Sequence, residues 1–139
     1  MLLTPFGMSD SGDDLKAIKC TCVVHCDGAR VAITDAVAAE FEALEQRQQD
    51  RFRRIMELWC QGKSLTPEMM NRNEGRSNNG LRIEAFKAFK VRLYGFEFKF
   101  NKIKTFFIVI IDAAKKQNKA DKNILKGAKT RSDDLCGEL

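Results

Sequence analysis

The chain has 139 residues, 44% of them hydrophobic and 31% charged, enough for one domain to bury a core without metal or disulfide staples. No apolar run approaches the roughly 20 residues of a membrane helix, so a membrane partner is not expected. The formal net charge of +5 is unevenly spread: Met1 to Asn79 holds 10 Lys/Arg against 12 Asp/Glu, and Gly80 to Arg131 holds 14 against 4. A near-neutral half followed by a basic half is the footprint of a polyanion-binding face. The plainer alternative is a lysine-rich solvated surface.

The first residues lack the basic and apolar regions of a secretory signal. They read as a flexible leader over 1–14, followed by a single domain over 15–135 and a tail over 136–139. Five cysteines and no sign of export point to reduced thiols in a cytoplasmic protein.

Ile18 to Cys26 alternates as a strand, with Ile18, Cys20, Cys22, Val24 and Cys26 on one face. Asp27-Gly28 is a turn signal. Thr34 or Asp35 can cap a helix running to about Gln61, its stripe formed by Val37, Phe41, Leu44, Gln48, Phe52, Ile55, Met56 and Trp59. The polar middle, Glu45 to Arg51, admits a break into a helical hairpin, and Gly62 is a stop. One further helical turn can begin at Pro67, and Asn71 to Gly80 is a loop rich in turn formers.

A meander is expected next: strands over Leu81–Lys87, Val91–Phe100 and Thr105–Ala113, with a hairpin turn at Asn101-Lys-Ile-Lys. Phe96, Phe98 and Phe100 share one face of the second strand. The unbroken apolar run of the third suits a central strand covered on both sides. Asp121 to about Leu135 reads as a terminal helix with Ile124, Leu125 and Ala128 inward. The class is α+β: an N-terminal strand, one or two helices, an antiparallel three-strand meander and a C-terminal helix.

Two constellations could carry chemistry. Cys20, Cys22, His25 and Cys26 are zinc-ligand types, but their spacing is not that of a zinc knuckle. Buried cysteines acting as small hydrophobes are the simpler reading, and no metal is expected. With one histidine, no HExxH pair and no phosphate-cradling glycine loop, conventional hydrolases and nucleotide-cofactor enzymes are not expected. The second set is cationic: Lys87, Lys90 and Arg92 on the meander, Lys115, Lys116 and Lys119 after its last strand, then Lys122, Lys126 and Lys129 on the terminal helix. Such residues can contact several phosphates together, and Tyr94 could stack on a base.

Three stretches, Phe86-Lys-Ala-Phe-Lys-Val-Arg-Leu-Tyr94, Phe96-Glu-Phe-Lys-Phe100 and Lys104 to Lys119, resemble the C-terminal half of RelE/HigB toxins, especially the phage-derived HigB-like branch. The resemblance covers the last third in motif and the remainder in element order. It implies an mRNA interferase, often ribosome-dependent, neutralised by a cognate antitoxin and needing no cofactor. The RNA's own 2′-hydroxyl would attack the adjacent phosphate. By that resemblance Arg92, Lys115 and Lys116 are catalytic, while Lys87, Lys90, Tyr94, Lys119 and Lys122 bind RNA. Glu97 stands where the family often has arginine, Asp112-Ala-Ala114 replaces a glycine-containing turn, and the terminal loop lacks an aromatic. The alternative is therefore a non-catalytic RelE-fold protein, of phage or mobile-element origin, that binds nucleic acid or a protein partner.

Overall fold

The buried, β-branched and aromatic run Ile103–Asp112 forms the strand on which the rest of the molecule is assembled. A computed structural model describes residues 8–113 and 121–139. The elements in chain order are α1 (Met8–Ala17), β1 (Cys20–Cys26), β2 (Ala29–Thr34), α2 (Asp35–Glu42), α3 (Gln46–Cys60), β3 (Met70–Asn71), β4 (Glu84–Ala88), β5 (Val91–Phe100), β6 (Ile103–Asp112) and α4 (Lys122–Cys136). The protein is α+β, with one sheet ordered β1-β2-β6-β5-β4-β3. Among the described strands, only the central β2–β6 pair is parallel.

Helices cover both faces. On one, Phe41 of α2 and Phe52, Ile55 and Trp59 of α3 pack on Val31, Phe86, Leu93 and Phe106. On the other, Leu15 of α1 and Ala128 and Leu135 of α4 pack on Tyr94, Phe96, Phe107 and Val109. β6 is thus central and doubly covered, as its apolar run requires.

The helical pattern from Asp35 does break, at Ala43 to Glu45. Gln49 explains why the polar stretch is helical: its Nε2 donates to the carbonyls of Glu42 and Leu44, both at 2.9 Å, tying α3 to the end of α2. Gln48, the polar member of the apolar stripe, is buried and accepts from the Glu45 amide at 3.1 Å. Asp121 caps α4 by accepting from the amides of Asn123 and Ile124 at 2.8 and 3.2 Å.

Four expectations change. The expected leader is helical from Met8, and Asp14 within it holds the buried Arg30 in a two-pronged ion pair at 3.0 and 2.7 Å. Ala29–Thr34 is a strand, because it is buried on both faces and so shows no alternation. An extra residue at Val23 breaks the β1 register between Cys22 and Val24. Cys20 and Cys22 consequently meet the α1/α4 core while Cys26 meets the α2/α3 core, so the cysteines do not share a face. Finally, β4 starts at Glu84, Arg82 making only an isolated bridge to Arg76.

A second bulge lies on β6, where Tyr94 pairs with Ile110 but Gly95 with Ile108. Here the Phe107 carbonyl oxygen occupies the place of a Cβ on residue 95, so only glycine fits.

Candidate nucleic-acid interface

β4 and β5 are joined by the two-residue turn Phe89-Lys90, and β5 and β6 by Asn101-Lys102. All four residues have positive φ, between 51° and 67°, the mirror-image turns that match strand twist. The first turn fixes the cations of the site. It sets Lys87 directly opposite Arg92 in the ladder, with Lys90 between them in the chain. Lys87, Phe89, Lys90 and Arg92, with Glu68, line a pocket of about 270 Å³.

This pocket is the first of three along the β3–β4 edge of the sheet. The second, about 400 Å³, shares Lys87 with it and is otherwise lined by Leu65, Pro67, Met70, Asn71 and Arg72. The third, about 220 Å³, shares Arg72 and adds Arg76, Arg82, Glu84 and Glu97. Six cations, Lys90, Arg92, Lys87, Arg72, Arg76 and Arg82, therefore follow one edge. Four carboxylates, Glu68, Glu74, Glu84 and Glu97, temper the charge and divide it.

The members differ in how firmly they are held. Arg92 pairs with Glu74 at 2.8 Å and is largely buried. Lys87 Nζ donates to the Pro67 carbonyl at 3.0 Å. Arg72 Nε pairs with Glu84 at 3.0 Å, Glu84 being buried and Arg72 half exposed. Burial pushes the Glu84 carboxyl above its ordinary range, and neighbouring Glu97 adds to this, against the opposing pull of Arg72, Arg82 and Lys104. Arg76 donates to the Gly80 carbonyl at 2.9 Å.

The residues singled out in the sequence fall into three groups. Lys87, Lys90 and Arg92 come together in one pocket. Tyr94 is fully buried against the α4 side of the sheet, so it cannot stack on a base; burial pushes its phenol up to about 12. Lys122 opens α4 and is exposed, and Lys115, Lys116 and Lys119 lie outside the described residues.

Sequence reading missed Arg72, Arg76, Arg82 and Phe89. The three arginines sit in or beside a stretch whose turn formers dominate its pattern, and their convergence depends on the β3 pairing. Nothing in the sequence separates Phe89 from the other phenylalanines, yet it is the exposed large hydrophobic side chain among the described residues, at 44%.

Among the described residues no group of three or more His, Cys, Asp or Glu gathers to hold a metal, and no helix is long and apolar enough to cross a membrane. No family model, curated protein or solved structure matches this chain.

Proposed function

We propose that the protein binds single-stranded RNA along the β3–β4 edge and cleaves it as a metal-independent endoribonuclease of the RelE/HigB toxin type. The observation that carries this is the run of three pockets linked through Lys87 and Arg72, which strings six cations along one sheet edge. Spaced guanidinium and ammonium groups suit a phosphate backbone better than a single small anion. The helical hairpin, the antiparallel run through β4, β5 and β6 and the terminal helix are compatible with the expected element order, while α1, the second N-terminal strand β2 and the short β3 are additions to it.

In the cleavage step the 2′-oxygen attacks the adjacent phosphorus as its proton passes to a base. The P–O5′ bond breaks, and the departing oxygen takes up a proton. The products are a 2′,3′-cyclic phosphate and a 5′-hydroxyl. The protein's task is to align the attacking and leaving oxygens and to stabilise the added negative charge. Arg92 lines the first pocket from β5, and the resemblance gives it the second role. Lys115 and Lys116 follow β6 in the chain, whose Asp112 is the ladder partner of Arg92. The substrate is mRNA, and a cognate antitoxin would act by covering the basic edge.

One observation favours a non-catalytic RNA-binding protein instead: the Arg92 guanidinium is engaged by Glu74 at 2.8 Å. The two readings separate in a cleavage assay with purified protein and single-stranded RNA in the presence of EDTA. Products ending in cyclic phosphate and 5′-hydroxyl support the enzyme. Salt-sensitive binding without scission supports the binding protein, and absence of both removes the RNA reading.

A further inference from the structure

Phe89 occupies a position that neither folding nor turn chemistry accounts for. It is the first residue of the β4–β5 turn, with φ +53°, and Lys90 follows at +63°. Such a turn is best served by asparagine, aspartate or glycine, whose side chains tolerate the left-handed region. Phenylalanine is poorly suited to it, and burial gives back only part of that cost because the residue stays 44% exposed. A residue kept in an unfavourable conformation with its apolar surface in water signals a role beyond stability.

Its surroundings say which role. Lys87, Lys90 and Arg92 line the same pocket, with Glu68 the one acid. From the start of α3 the Arg47 guanidinium lies over the Phe89 ring, 5.0 Å from its centre. Arg47 is itself 72% exposed and bonded to Glu45 at the surface, so it can lift to admit a flat group beneath it. An aromatic plane ringed by cations is the elementary unit of single-strand recognition: the ring takes a base and the cations take the flanking phosphates.

We infer that Phe89 is a stacking platform for an unpaired base of the RNA strand, with Lys87 and Lys90 on the adjoining phosphates and Arg47 closing over the base. The inference rests on the RNA reading above and deepens it. The platform replaces Tyr94, which is buried. It accepts any base, so it sets affinity and strand register rather than sequence choice. It also requires single-stranded substrate, since a paired base cannot reach the ring.

The test is a fluorescence anisotropy titration of labelled oligouridylate and of a duplex RNA with wild type, Phe89→Ala, Phe89→Asn and Phe89→Trp, each checked for stability by thermal unfolding. Phe89→Ala and Phe89→Asn are expected to weaken oligouridylate binding roughly five- to 150-fold. Phe89→Asn should unfold no earlier than wild type, because asparagine suits the turn. Phe89→Trp should bind at least as well as wild type, with its new indole emission quenched by oligouridylate. Duplex binding should not depend on the residue. If wild type binds oligouridylate and Phe89→Ala binds it equally, the platform is wrong while the RNA reading stands. If wild type binds neither RNA, both fall. Unchanged RNA binding by Phe89→Ala with loss of a protein partner would assign the ring to a protein interface and overturn the inference.

Discussion

Arg92 and Glu74 form an ion pair at 2.8 Å, with 14% and 6% of their side chains exposed, so the residue expected to contact the scissile phosphate is also a structural tie. It fastens the loop between β3 and β4 to the start of β5. Both arms of the basic edge therefore depend on it. Removing either partner leaves a poorly solvated charge behind, and Arg92→Ala and Glu74→Ala should each lose about 3 kcal/mol of stability. The double variant should lose less than the two single losses together. Urea denaturation of the three variants measures this, and strict additivity would deny the coupling.

A similar lock ties α1 to β2. Asp14 holds Arg30, whose side chain is 1% exposed, and Arg30 Nε also donates to Thr105 at 3.0 Å. Asp14→Ala should cost about 3 to 5 kcal/mol and release α1 from the sheet. Amide hydrogen exchange in α1 should rise in the variant, and unchanged protection there would contradict the account.

Acid should act on Asp14 and on Glu84 with opposite sign. Burial raises Asp14, but hydrogen bonds from Arg30 and Asn101 outweigh it and leave the carboxyl below its ordinary 3.8. Its contribution is present above pH 3.8 and is lost as pH falls through the lowered value. Glu84 lies above its ordinary 4.5, mainly through burial. Its contribution is full below pH 4.5 and is lost as pH rises through the raised value. Any stability advantage of Glu84→Gln over wild type should therefore shrink between pH 7 and pH 4.5. An advantage that holds constant or grows on acidification would show that the buried carboxyl is not raised.

The buried thiols of Cys20 and Cys60 should be inert in the folded chain. Burial pushes Cys20 and Cys60 up to about 12 from an ordinary 9.0. At pH 8 the thiolate fraction of each is roughly a thousandfold below that of an ordinary thiol. Alkylation mapped by mass spectrometry should leave both unmodified until denaturant is added, and prompt labelling of either would contradict their placement.

Gly95→Ala should be among the most damaging single substitutions, losing about 3 kcal/mol or more, since the new Cβ meets the Phe107 carbonyl and backbone cannot yield cheaply. Normal thermal stability in this variant would mean that the β6 bulge relaxes.

Much of this architecture could be read from residue order. Val91–Phe100 is bounded as its alternation predicts, and Asp121 caps α4 as its side chain predicts. What escaped was whatever depends on long-range pairing. β2 carries a buried arginine whose partner, Asp14, lies 16 residues away, so neither its polarity nor its periodicity signals a strand. The Val23 bulge sent Cys26 to the opposite core from Cys20, which no local pattern encodes. At the site, Lys87, Lys90 and Arg92 were legible because one hairpin brings them together. Arg72, Arg76 and Arg82 were not, since only the short β3 pairing brings their loop beside β4. Phe89 was hidden among ten phenylalanines, most of which are core.

The most direct test of the central claim is induced expression in bacteria of wild type beside two variants that keep the Arg92–Glu74 charge pairing, Arg92→Lys and the double variant Lys115→Ala with Lys116→Ala. The account predicts growth arrest with mRNA cleavage by wild type, and loss of both in the double variant with strong weakening in Arg92→Lys. Soluble, folded wild type that neither arrests growth nor cuts mRNA would contradict it.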